Sequence, residues 1–252
     1  MDIVASNKKL KTYSIDMMFG RPGLSNAVWK DELISILSDT CPNLPHLSLY
    51  ELTPERGTPL WKHDLHRLPS EDIKAEQYEI AVESASKFGL ARYEVSNFAR
   101  DEESRSKHNT WYWRGGNFLG LGPGAHSRYY LEGRRVAAVQ APFPKDWMTL
   151  VKASGHGTMR ATRQNLYDIA AEILGSTLRT SWGLESDLFG LFFPDLLLSD
   201  LVKDCDVCLQ FQEDGFMIVS EKGIKLTPKG LAFADYISPY LLANFEKSTI
   251  KT

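Results

Sequence analysis

What most constrains the fold is a strand, loop and helix within residues 12–38, followed closely by a second short strand. Thr12 to Met18 alternates and is rich in β-formers, and Phe19-Gly20-Arg21-Pro22-Gly23 breaks the run. Val28, Leu33, Ile34 and Leu37 then recur at helical spacing. His46-Leu47-Ser48-Leu49-Tyr50-Glu51-Leu52 supplies another apolar run after a Pro-containing turn. A helix between two strands leaves room for the crossover that parallel pairing requires, and parallel sheets are stable only when helices cover them. The fold class read from this is α/β.

The alternation continues. Ser70 is an N-cap with Glu71 and Asp72 in the first turn, and Tyr78, Ala81, Val82, Ala85 and Phe88 make one apolar face that stops before Gly89. Tyr93-Glu94-Val95-Ser96 reads as the strand that completes a second βαβ-like step. The Gly- and aromatic-rich stretch from Asn97 to Tyr130 reads as long and irregular, which is usual for a functional segment.

Beyond Phe143 the character changes, and a domain division is expected near Gln140. Helices are predicted over Lys145 to Ala153 and over Arg163 to Leu178, the second striped by Leu166, Ile169, Ala170, Ile173 and Leu174. Phe216 to Ser220 and Ile224 to Leu226 flank Glu221-Lys222-Gly223 as a hairpin, and Thr227-Pro228 starts a helix expected to run to about Phe245. Helices, a hairpin and a helix in this order suggest a winged-helix-like domain.

Charge and cysteine content narrow the function classes. With 29 basic and 32 acidic residues and a formal net charge of -3, the chain has no global positive field, so nucleic acid is not an expected partner. Around the last helix Lys229 and Lys247 are balanced by Asp235 and Glu246, which argues against DNA for the winged-helix-like part as well. No run of about 18 apolar residues occurs, so no membrane span is expected. Neither a signal nor a transit peptide is read in the first residues. Three cysteines do not make a disulfide framework, and a reducing compartment is expected. Cys205-Asp206-Val207-Cys208 lacks the second ligand pair of a zinc site and is read as an ordinary part of the C-terminal domain, so no protein metal site is expected.

Three segments could carry chemistry. Asp16 is placed near the end of its strand, where α/β barrels build their sites, although capping the next turn is the commoner role for such a residue. Ser106-Lys107-His108-Asn109-Thr110-Trp111-Tyr112-Trp113 concentrates an imidazole, a carboxamide and three aromatic rings. Imidazole can ligate iron, and Tyr and Trp offer apolar faces with one polar edge; by composition alone a packed aromatic corner is the commoner outcome. Gly120-Leu121-Gly122-Pro123-Gly124-Ala125-His126-Ser127 sets glycines at alternate positions, which lets backbone approach a ligand, or alternatively lines a packed strand. It is not the G-x-G-x-x-G dinucleotide fingerprint.

In order along the chain, Ser14 to Gly23, His46 to Tyr50, Tyr93 to Ala99, His108 to Trp113 (the H-N-x-x-Y-W signature) and Gly120 to Ser127 (G-x-G-P-G-A-H-S) resemble successive motifs of the HemW family. That family contains heme-handling relatives of oxygen-independent coproporphyrinogen III oxidase within the radical S-adenosylmethionine (SAM) superfamily. Glu55 to Thr58, Gly155 to Thr158, Gly175 to Thr180 and Leu226 to Leu231 are similar to its animal mitochondrial branch. Two positions depart: Arg21 and Leu24 stand where the family has Leu and Gln in G-L-P-G-Q.

The resemblance implies the C-terminal portion of a partial (βα) radical-SAM barrel over residues 1–140, then a HemN-type C-terminal domain over 141–252. It implies SAM contacts at Asp16, Thr53 and His126, heme contacts at His108, Asn109, Tyr112 and Trp113, and backbone contact through Gly120, Gly122 and Gly124. The family's C-x-x-x-C-x-x-C, which holds a 4Fe-4S cluster, has no counterpart in the sequence, so the chain is expected to be an N-terminally shortened form that holds no cluster. The expected function is a heme-binding, chaperone-like protein that receives heme or a porphyrin and passes it to heme-accepting proteins. The alternative, for a full-length chain, is a radical SAM coproporphyrinogen III oxidase-like enzyme. A mitochondrial or cytoplasmic location follows from the same resemblance.

Overall fold

The computed structural model describes residues 12–203 and 205–250. The segment Met1 to Lys11, on which the reading of the first residues partly rested, lies outside them. The chain divides into two compact units, residues 1–106 and 107–252.

In the first unit, β1 (Ser14–Phe19) is followed by α1 (Asn26–Ser35), which continues through one wider helical turn to Thr40. β2 (His46–Glu51) pairs in parallel with β1, Ser14 opposite His46 and Phe19 opposite Glu51. α2 (Glu71–Lys87) starts at Ser70, whose hydroxyl accepts the Ile73 amide. This much follows the sequence reading. The next step differs in detail: the strand expected over Tyr93 to Ser96 is β3 (Ala91–Glu94), which turns at Val95-Ser96 into an added strand, β4 (Asn97–Ala99). The strand that joins β2 is β4, and it runs antiparallel, so the sheet order is β1-β2-β4-β3. Since β3 is antiparallel to β4 and β4 to β2, β3 runs parallel to β2, and β2-α2-β3 is a helical crossover with β4 inserted between its two strands.

The period of two gives this sheet unlike faces. Met17, Phe19, Leu47, Leu49 and Phe98 enter a core with Trp29, Leu33 and Leu37 of α1 and Ala81 and Ala85 of α2. Ser14, Asp16 and Met18, opposite His46, Ser48 and Tyr50, form the other, polar face.

The second unit opens with α3 (Lys107–Trp113), so the stretch expected to be irregular is partly helical. β5 (His126–Leu131) and β6 (Arg134–Gln140) turn at Glu132 and Gly133, both with positive φ. α4 (Pro144–Ser154) leads to β7 (Thr158–Arg163), which pairs antiparallel with β6 in a sheet of order β5-β6-β7. The compact units divide at Ser106, and the change of composition expected near Gln140 falls inside the second of them. Composition registers the start of α4, while β6 and β7 hold both sides of Gln140 in one sheet.

α5 (Leu166–Thr177) is set by a capping box between Asn165 and Asp168. After it come β8 (Leu184–Glu185), α6 (Ser186–Phe192), α7 (Asp206–Glu213), β9 (Met217–Ser220) and β10 (Gly223–Leu226), with β8 and β9 flanking β10. Helix, strand, two helices and a hairpin is the winged-helix order. The last helix is interrupted: α8 (Pro228–Leu231) stops at Ala232-Phe233 and α9 (Ala234–Ile250) resumes, packing on α5 and carrying Pro239 inside it. Ile173, Leu178, Ile237, Leu241 and Phe245 are buried in this unit.

Candidate functional site

In the first unit the polar sheet face holds Asp16, one of the residues implied for SAM. Asp16 is exposed on β1, opposite Ser48 on β2, which in turn is opposite Asn97 on β4. Asn97 is buried; its Nδ2 donates to Glu94 Oε2 at 2.7 Å, and its Oδ1 has no hydrogen-bond partner. Thr53 is exposed just past β2, at the strand ends where α/β barrels place their chemistry.

Beside this row His46 is buried, with Nδ1 2.8 Å from Ser14 Oγ and Nε2 2.7 Å from the Tyr93 hydroxyl. Burial pushes its pKa below the ordinary histidine value, against a smaller opposing pull from Asp16. Tyr93 is buried too, and its hydroxyl accepts the Ser106 amide at 3.0 Å; burial raises its pKa.

The loop after β1 is fixed by a residue that sequence reasoning passed over. Gln77, fully buried on α2, accepts the Gly20 amide through Oε1 at 2.9 Å and donates through Nε2 to the Leu24 carbonyl at 3.0 Å. Its own carbonyl accepts Trp29 Nε1 at 2.8 Å. Arg21, one of the two departures from the family loop, pairs with Glu32 of α1. A glutamine beside an apolar helical stripe was the only sequence signal.

In the second unit α3 orders the aromatic cluster. His108 and Tyr112 are four apart and share a helix face. Their rings pack edge-on with centroids 4.5 Å apart, and Tyr112 meets Phe118 edge-on at 4.5 Å. His108 is exposed, Asn109 and Trp113 are half-buried, and Trp113 packs against Trp182. Trp111 lies on the outside, its Nε1 donating to the Asn117 carbonyl at 2.8 Å.

The glycine segment turns back on itself before β5. The Gly120 amide donates to Ser127 Oγ at 3.0 Å and the Gly124 amide to the Ala141 carbonyl at 2.8 Å, so both are engaged within the fold. A side chain at Gly120 would collide with the His126 carbonyl, which is the packing reason for that glycine. Gly122 has φ 100°, in the region that favours glycine. His126 is exposed at the start of β5.

A second feature absent from the sequence reading is a pocket of about 350 Å³ between α3, the β5-β6 hairpin and α5, lined by Tyr112, Gly115, Arg128, Arg135, Glu172 and Ser176 among others. Arg128 grips Glu172 through Nε at 2.8 and 3.0 Å and through Nη2 at 2.6 Å. Arg135 Nη1 lies 3.2 Å from the same carboxylate. The signal available was slight: Glu172 beside the apolar stripe of α5, and arginines within a β-rich run.

Cys41 is buried in the first unit, Cys205 and Cys208 form a disulfide at the start of α7, and no group of three or more potential metal ligands occurs among the described residues. The disulfide revises the reading of Cys205 and Cys208 as unremarkable. No helix among the described residues is long and apolar enough to cross a membrane.

No protein-family model matches the chain. Among curated relatives, "Radical S-adenosyl methionine domain-containing protein 1, mitochondrial" of Danio rerio is 34% identical over 240 residues, covering 92% of this chain and 53% of that protein. The Bos taurus protein of the same name is 34% identical over 242 residues, with 93% and 54% covered. "Heme chaperone HemW" of Bacillus subtilis (strain 168) is 30% identical over 224 residues, with 86% and 55% covered. Coproporphyrinogen III oxidase (HemN) from Escherichia coli, described as a radical SAM enzyme, shares the fold with a TM-score of 0.70 at 20% identity over 92% of this chain and 55% of that one. The chain therefore spans about half the length of the curated relatives it matches. Over that span, in sequence and in fold, it belongs to the HemW family of radical SAM proteins.

Proposed function

We propose that this chain binds heme or a porphyrin and serves as the heme-holding part of a chaperone-like protein that delivers to heme-accepting proteins. The observation that carries the reading is the exposed His108 imidazole held edge-on against Tyr112 on α3, which offers a candidate iron ligand beside an aromatic surface. Asn109 and Trp113 complete the proposed contact. The name of the Bacillus subtilis relative supports heme as the ligand, and the names of the animal relatives support a mitochondrial setting. In this reading residues 141–252 are the HemN-type module, and Asp16 and Thr53 contact SAM. Gly122 remains a candidate for backbone approach in the glycine loop. SAM would supply the family's radical chemistry when a cluster is present; Asp16, with Ser48 and Asn97 in one row, offers acceptors and donors to its polar groups.

Hemin titration followed at the Soret band tests the proposal. His108→Ala is expected to change both spectrum and affinity, because losing an axial ligand alters the iron's electronic state, while His126→Ala leaves both near wild type. A His108→Ala protein with wild-type spectrum and affinity would return α3 to the role of a packed corner.

A further inference from the structure

The pocket under Tyr112 contains an ionic cluster that does not close. On the β5-β6 hairpin Arg128 and Arg135 are diagonal neighbours on one face, Arg135 being opposite Tyr130. Both reach Glu172 of α5, so two guanidinium groups share one carboxylate. Arg128 takes it in a multiple-contact grip.

Arg135 is left poorly matched. Its side chain is 2% exposed, its Nη2 reaches only the Gly115 carbonyl at 3.4 Å, and its Nε and Nη1 have no hydrogen-bond partner, although Nη1 is within ion-pair distance of Glu172. A buried guanidinium with unmatched donors is costly unless an anion completes it. It also lies over the Phe192 ring, 5.4 Å from the centroid, a contact that holds the group without satisfying its N–H donors.

We propose that this pocket is a carboxylate-binding site in which Arg135, assisted by Arg128, receives the acidic edge of the ligand. The planar fork of arginine matches a carboxylate through two parallel hydrogen bonds. Tyr112 links the pocket to the candidate iron ligand, because its ring both lines the pocket and packs against His108. Gly115 keeps that wall thin: its φ is +67°, and a side chain there would collide with Ile173 and Phe192. At about 350 Å³ the volume is at the small end of ligand pockets, so it takes one carboxylate-bearing edge and not a whole macrocycle. The inference rests on the heme reading for the identity of the ligand, since the propionates of heme are such carboxylates.

The test uses the full chain with two kinds of probe. The first is 1-naphthoate against 1-naphthalenemethanol, an aromatic acid and its neutral alcohol, followed by calorimetry. The second is hemin against hemin dimethyl ester, followed at the Soret band. Wild type is expected to prefer each acid by about tenfold, the scale of one charged hydrogen-bonded contact. Arg135→Gln should lose that preference, and Arg163→Gln, which removes an exposed arginine elsewhere, should keep it. Glu172→Gln removes the internal competitor and should tighten naphthoate binding, a gain that misfolding cannot imitate and that keeps the test valid if Arg135→Gln fails to fold.

Equal binding of acid and alcohol in wild type and in Glu172→Gln would overturn the proposal. Hemin binding that ignores both esterification and Arg135→Gln would remove the pocket from the heme site and leave the heme reading standing. Selection of naphthoate without any binding of hemin would leave the pocket standing and remove heme as its ligand.

Discussion

Gln77 in the first unit and Arg135 in the second are both polar and both buried, yet their surroundings treat them in opposite ways. Each end of the Gln77 carboxamide meets a backbone partner, Gly20 on one side and Leu24 on the other. Arg135 keeps two nitrogens without hydrogen bonds beside an open volume. A buried polar group whose atoms are all matched closes a fold, whereas one with spare donors marks a place where something else can bind. His46, with both ring nitrogens engaged, belongs with Gln77.

The largest effect should come from Gln77→Leu. It leaves the Gly20 N–H and Leu24 carbonyl buried without partners, at a cost of about 2–4 kcal/mol measured by urea denaturation. A loss below about 1 kcal/mol would show that these two bonds do not hold the loop.

A smaller effect is expected for His46, and it has a sign. Burial lowers its folded pKa, so the unfolded chain takes up a proton first. The stability it contributes is present above its ordinary value of about 6.5 and declines as pH falls below that value. Thermal unfolding should show a steeper drop between about pH 7 and pH 5 for wild type than for His46→Gln. Identical slopes would remove His46 from the class of closed, neutral groups.

Arg135→Met should change stability by no more than about 1 kcal/mol in either direction, because an imperfectly paired buried charge contributes little net stability. A loss as large as that of Gln77→Leu would erase the contrast between the two residues. The smallest change, within about 0.5 kcal/mol, is expected for Arg163→Gln, which breaks an exposed pair with Glu132.

What could be read from the sequence follows the range of the forces involved. β1, α1, β2 and α2 were readable because their periodicity and caps are local, Ser70 being the clearest. The β3-β4 hairpin was not: its turn at Val95-Ser96 lacks the glycine or asparagine that marks tight turns, and antiparallel pairing with β2 is a choice between distant segments. α3 was hidden because its aromatic composition suggested a loop, although the spacing of His108 and Tyr112 already placed them on one helix face. The arginine pocket had no local signature, since Arg128 and Glu172 are 44 residues apart. The motifs identified the family, and only the packing of β5, β6 and α5 exposed the unmatched guanidinium.

The Gln77 clasp has a consequence for the order of folding. Its bonds to Gly20 and Leu24 close over 57 and 53 residues, so the loop after β1 has no fixed geometry until α2 has docked on the sheet. The Gly20 amide should therefore exchange its hydrogen for deuterium only through openings that undock α2, at the slow rate of core amides such as Leu49, despite being in a loop. The loop's shape is then a late product of tertiary assembly, and any ligand contact built on it appears only with the finished unit.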